Sequence, residues 1–150
     1  MVAECDLVVS WRARPRSFVA LMGLYESNYL RLAQLAGDLR ALPDRSVSVV
    51  PGDCTLILCV GERSRYTCEL LLTYLLPAAH PAGGMDRIPD LHLRLYHDAR
   101  LLEARGSGDV APERELHRRW TRNMMVNKWL EYCAERGHGF VRGAGGHKPG

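Results

Sequence analysis

The sequence predicts an α+β protein: an N-terminal helix, a five-stranded antiparallel sheet in hairpin order, and a C-terminal helix packed on the sheet. Three observations carry this expectation. Near the start, apolar residues fall at Phe18, Met22, Tyr25, Tyr29, Leu32, Ala36 and Leu39, alternating steps of four and three that trace one helix face. In the middle the period changes to short runs of Val, Ile, Leu, Thr and Tyr separated by turn residues. Near the end a helical pattern returns.

Ser17 suits the N-cap of the first helix, because its hydroxyl can accept a bond from a free first-turn amide. Pro43 stops the segment, since proline cannot continue a helix, and the interval holds about five or six turns. Strands are expected over residues 46–50, 55–60, 65–74, 91–96 and 100–104. Their short links allow antiparallel neighbours, whereas parallel ones need a crossover of a dozen or more residues. The stretch 77–89, with Pro77, Pro81, Gly83, Gly84 and Pro89, reads as the one long loop. A two-residue turn at Asp98-Ala99 would set Leu95 opposite Leu102 and Arg94 opposite Glu103, an apolar pair on one face and an ion pair on the other. Pro112, Glu113 and Glu115 mark the start of the last helix, where a missing amide costs nothing and carboxylates meet the positive dipole end. Gly137 suits its C-terminal cap. Met125, Val126, Trp129, Leu130, Tyr132 and Cys133 form the expected buried arc, with His117, Lys128, Glu131 and Glu135 opposite. The organisation expected is a flexible basic arm over 1–16, a single domain over 17–140, and a disordered tail over 141–150.

Composition narrows the function classes. The chain has 150 residues, 47% hydrophobic and 25% charged, ordinary values for one globular domain. At that size roughly 70% of the unfolded surface is buried on folding, so neither metal nor disulfide is required. Cys5, Cys54, Cys59, Cys68 and Cys133 are odd in number and mostly set in apolar runs, which suggests reduced buried thiols and a cytoplasmic setting. No C-x-x-C occurs, and His80, His92, His97, His117 and His138 have no ligand spacing, so no metal and no cofactor are expected. No apolar run reaches the about 18 residues of a membrane span, and the apolar-then-basic N-terminus reverses the order of a signal peptide. The net charge of +3 resides in the two ends and leaves the body near neutral, without the basic, aromatic-studded face of a nucleic-acid binder.

Several segments together resemble the YqiB-like family, a bacterial domain of unknown function. They are Leu24-Tyr25-Glu26-Ser27-Asn28-Tyr29, Arg65-Tyr66-Thr67, Arg94-Leu95-Tyr96-His97-Asp98-Ala99, and Trp120, Asn123 and Trp129-Leu130-Glu131-Tyr132-Cys133 leading to Gly137-His138. The resemblance implies a bacterial cytoplasmic protein and carries no activity, substrate or cofactor with it. The chain departs from the family before the last helix. Relatives tend to carry a His-Gln-Arg-Asp-Glu-Lys type stretch there, and this chain has Glu113-Arg114-Glu115-Leu116-His117-Arg118-Arg119.

The most suggestive chemistry lies at Arg94, Tyr96, His97 and Asp98, to which Glu62, Arg65 and Tyr66 could add from a neighbouring strand end. A histidine beside a carboxylate can move protons, and arginine can hold an anion. The competing reading is turn structure, because adjacent strand residues face opposite ways and a turn aspartate commonly bonds its own backbone. Asn123 and Asn127 share a stripe with Leu116, Trp120, Leu130 and Ala134; they could bind a ligand or meet sheet-edge backbone groups, and Asn28 could bond a neighbouring strand. Phosphate-loop, dinucleotide, nucleophile-elbow and H-E-x-x-H signatures are all missing. Three tryptophans and six tyrosines suit either core packing or an interface, including a homodimer. The expectation is therefore a non-enzymatic binding or regulatory module with an unidentified protein or small-molecule partner, and no nucleic acid or membrane. The alternative is a small hydrolase or anion-binding enzyme, with His97 or Asp98 as acid or base and Arg65 or Arg94 as the anion clamp.

Overall fold

The structure, a computed structural model, describes residues 17–77, 85–87, 90–106 and 112–140. The expected basic arm and C-terminal tail lie outside the described residues. Helix α1 (Phe18–Ala36) starts at Ser17, whose Oγ accepts the Ala20 amide at 3.0 Å. It ends at Gly37, whose φ of 78° only glycine adopts without strain. A short 3-10 turn (Leu39–Ala41) follows, begun by the Asp38 carboxylate accepting the Arg40 amide.

The sheet contains β1 (Arg45–Val49), β2 (Thr55–Arg63), β3 (Thr67–Pro77), β4 (Met85–Arg87), β5 (Leu91–Tyr96) and β6 (Leu101–Ala104), followed by α2 (Pro112–Glu135). All pairings are antiparallel, in the order β1-β2-β3-β5-β6, with β4 paired to the far end of β3. The five expected strands and both helices form. The sixth strand is a correction: residues 77–89 read as loop, yet Met85–Arg87 pair with Leu75–Pro77. Three residues with a central Asp carry no strand period, so only the neighbouring end of β3 makes them one. The β5–β6 hairpin has the expected register, with Arg94 opposite Glu103 and Leu95 opposite Leu102. Arg100 donates its amide to His97 across Asp98-Ala99 and takes a φ of 57° to close that turn.

Both helices cover one side of the sheet. Leu56, Leu58, Cys68, Leu70, Leu72, Leu93, Leu95, Leu102 and Ala104 point inward, each 3% exposed or less, and meet Leu32, Leu35, Val126, Leu130 and Cys133 from the helices. Burying each leucine fully contributes about 1.5–3 kcal/mol. The helix faces differ from the apolar lines of the sequence. On α1 the buried set is Ala20, Leu21, Leu24, Tyr25, Asn28, Leu32 and Leu35, while Phe18 is 69% exposed. On α2 it is Trp120, Asn123, Val126, Asn127, Leu130 and Cys133, with Met125 and Tyr132 exposed. In both helices the face turned inward is the one that carries asparagine.

Asn28, Asn123 and Asn127 are completely buried, and hydrogen bonds explain why. Strand β6 is a sheet edge, so its outward backbone groups need partners. Asn123 Oδ1 accepts the Ala104 amide at 2.7 Å, and Asn28 Nδ2 donates to the Leu102 carbonyl at 3.3 Å. Asn28 Nδ2 also reaches Asn123 Oδ1, Asn127 Nδ2 donates to Asn28 Oδ1 at 3.0 Å and to Ser27 Oγ, and Arg31 Nε donates to Asn127 Oδ1. Asn123 Nδ2 closes the network on the Arg119 carbonyl of its own helix at 2.8 Å.

At the end of α2 the Gly137 amide bonds the Ala134 carbonyl and the His138 amide bonds the Cys133 carbonyl, the paired bonds of a Schellman cap with Gly137 at φ 94°.

Three substitutions test these contacts through stability. Replacing Asn123 with Ala leaves the buried Ala104 amide without its acceptor; the expected loss is about 2–4 kcal/mol by urea unfolding, and a loss under about 1 kcal/mol would show that the network does not stabilise the fold. At Gly137 an added Cβ meets open space, so Gly137→Ala costs only backbone strain, about 1–2 kcal/mol. Gly139 has ordinary room and no positive φ, and Gly139→Ala is expected to change stability by less than about 0.5 kcal/mol in the same assay.

Candidate functional site

Because both helices sit on one side, the alternate strand residues form a second face that no described helix covers. Val47, Ile57, Cys59 and Leu71 supply its apolar part, with Val47 44% exposed. A charged ladder crosses the same face: Glu69 pairs with Arg94 across β3 and β5, and Arg94 lies opposite Glu103 on β6. Arg94 Nε meets Glu69 Oε2 at 2.5 Å, and Tyr96 donates its hydroxyl to Glu103 at 2.9 Å. Tyr25 reaches round from α1 to Glu103 at 3.5 Å. Its phenol is pushed up to about 12, first by burial and then by the Glu103 charge, so it stays a neutral donor.

Beside this ladder lies an open depression of about 480 Å³ lined by Glu69, Asp90, His92, Arg105 and Gly106. A smaller one of about 250 Å³, lined by Cys59, Val60, Gly61, Leu70 and Leu71, shares Glu69 and His92 with it. Glu69 is held by Arg94, and Asp90 accepts the Thr73 hydroxyl at 2.7 Å. The exposed His92 and Arg105 side chains carry no hydrogen bond or ion pair among the described residues. Together these groups present an imidazole and a guanidinium on a partly apolar floor, able to hold an anionic group and a second polar atom.

The residues singled out from sequence are distributed around this concavity. Arg94 and Tyr96 stand on the uncovered face, engaged by Glu69 and Glu103. Asp98 turns outward and pairs with Arg40 at 2.8 Å. His97 sits half-buried at the hairpin tip, its Nδ1 without a hydrogen bond, and burial followed by the neighbouring Arg40 charge lowers its pKa. Arg65 lies 5.4 Å over the exposed Tyr66 ring at the β2–β3 turn. Glu62 is exposed on β2. Asn123 is closed inside the amide network. None of Arg65, His97, Asp98 or Asn123 lines either depression.

Glu69, His92 and Arg105 were missed by sequence reasoning. Glu69 and His92 converge through the β3–β5 pairing, Leu71 opposite His92 and Glu69 opposite Arg94, which spans a long connection, and Arg105 joins them past the end of β6, where its amide donates to the His92 carbonyl. A short turn reveals register in advance, whereas a long connection does not. The usable signal was the His92-Leu93-Arg94 alternation, which sets His92 and Arg94 on one face.

No helix among the described residues is long and apolar enough to cross a membrane. A family model described as a protein of unknown function (DUF1249) matches residues 31–139. The uncharacterized protein YqiB of Escherichia coli strain K12 is 28% identical over 131 residues, covering 80% of this chain and 90% of the relative. YqiB of the O157:H7 strain aligns with the same identity and coverage. No solved structure matches the chain. With well over half of its length matched by the family model, the chain belongs to the DUF1249 family.

Proposed function

We propose that this protein is a non-catalytic binding module whose sheet face opposite the two helices takes a small molecule bearing a carboxylate or phosphate. One observation carries the reading: the depression beside the ladder presents His92 and Arg105 without side-chain partners among the described residues, while the neighbouring acids Glu69 and Asp90 are already held by Arg94 and Thr73. Arg105 is the anion contact, since a guanidinium offers a planar fork of donors. His92 supplies a second hydrogen bond, and Leu71 with Cys59 floors the adjoining apolar part. An enzyme built on the hairpin receives less support, because Arg94 and Asp98 already neutralise Glu69 and Arg40.

A thermal-shift screen against sugar phosphates, nucleotides and carboxylic acids tests this. A ligand at a hundred times its Kd stabilises by about 2.7 kcal/mol, which raises the melting temperature of a domain this size by about 5–10 °C. The shift should vanish in Arg105→Ala and shrink in His92→Ala, two exposed positions whose replacement leaves the core untouched. A flat response across the panel, or a shift that survives both substitutions, overturns the assignment. A shift lost only in Arg94→Ala or His97→Ala would move the site to the hairpin.

A further inference from the structure

The opposite end of the molecule holds a second cluster, built by the β1–β2 turn and the segment that follows α2. Gly52, at φ 82°, reverses the chain and brings Asp53 and Cys54 to the start of β2. The Schellman cap turns His138 back over the end of β1, where the Gly139 amide donates to Ser48 Oγ at 2.9 Å and the Phe140 amide donates to the Leu35 carbonyl. The His138 side chain is fully buried. Its Nδ1 lies 2.9 Å from Ser48 Oγ, and its Nε2, 3.4 Å from Asp53 Oδ2, makes no hydrogen bond. Cys54, 2% exposed, completes the group: one ligand atom from each of Asp53, Cys54 and His138 lies within 4.8 Å of the other two.

A buried ring nitrogen without a hydrogen bond costs about 1–3 kcal/mol, so an imidazole aimed at a carboxylate and a thiol calls for an explanation. We infer that Asp53, Cys54 and His138 form a binding site for a zinc-class divalent cation, with an Asp53 carboxylate oxygen, Cys54 Sγ and His138 Nε2 as ligands. The donor set is the one that metal prefers, a thiolate, an imidazole and a carboxylate, with a fourth position for water. Ser48 supplies the outer contact. Its oxygen accepts the Gly139 amide and can also accept a hydrogen bond from His138 Nδ1–H, the tautomer that leaves the Nε2 lone pair directed at the ion. Binding releases the Cys54 thiol proton, and the cation replaces it. Arg136 donates to Asp53 Oδ2 at 3.1 Å from a side chain 47% exposed, so it can yield that oxygen by moving toward solvent. No sequence spacing announces this site, because its ligands lie at positions 53, 54 and 138 and meet only through the fold.

The test uses the untagged full chain stripped with a chelator and titrated with Co²⁺ and Zn²⁺. One Co²⁺ per chain is expected, with a thiolate-to-cobalt charge-transfer band and tetrahedral d–d absorption, and Zn²⁺ should displace it. The band should be lost in Cys54→Ala and in His138→Gln, and retained in Cys59→Ala, which removes a thiol on the other face of the sheet. A spectrum without thiolate character, or a band that persists in Cys54→Ala, overturns the proposal. Should either variant fail to fold, X-ray absorption of the zinc-loaded wild-type chain decides: one sulfur at about 2.3 Å with imidazole nitrogen at about 2.0–2.1 Å supports the site, and a shell lacking sulfur or imidazole refutes it.

Discussion

The edge strand β6 cannot leave its backbone groups bare beneath two helices, and the buried amides of Asn28, Asn123 and Asn127 meet that constraint. Each helix contributes to the contact, so α1 and α2 are tied to the same short strand and to each other. An apolar side chain at position 28 or 123 would leave a strand carbonyl or amide without that partner, and one at position 127 would leave Asn28 Oδ1 without its donor. The network therefore sets both the distance and the rotation of each helix against the sheet. Hydrophobic burial supplies most of the stabilising free energy, but it is non-directional, and the amides decide which of several apolar faces turns inward.

That choice propagates to the sheet. With both helices committed to the leucine side, the other side keeps Val47, Ile57, Leu71 and the Glu69–Arg94–Glu103 ladder facing outward. Within the ladder Arg94 balances Glu69, and Tyr96 and Tyr25 both donate to Glu103. His92 and Arg105 lie at its flank, outside those pairings, which is why the polar capacity of that face concentrates in one depression.

The capped end of α2 has a comparable effect on the far side. A glycine in the left-handed region reverses the chain, and the residue after it is carried inward with its imidazole against Ser48 and Asp53. The Cys54 amide, together with Arg136, holds the Asp53 carboxyl below its usual range, so it stays charged beside that ring. The two candidate sites thus share no residue, one built on strand register and the other on a turn and a cap.

Much of the architecture was legible in advance because its signals are local. Ser17, Pro43, Gly137 and the Asp98-Ala99 turn act within a few residues of themselves, and the hairpin register of Arg94 with Glu103 follows from one short loop. Local period failed where burial depends on a distant partner. Phe18, Met125 and Tyr132 are apolar and exposed, while Asn28 and Asn123 are polar and buried, because the edge of β6 needs hydrogen bonds more than it needs hydrocarbon. By itself, then, the sequence determined the class of fold, the order of elements, the turn chemistry and the family resemblance. The tertiary structure alone decided which helix faces turn inward, which sheet face the two helices cover, and that Glu69 meets His92 and Asp53 meets His138. Those outcomes rest on pairings between residues far apart in the chain, and no local propensity encodes them.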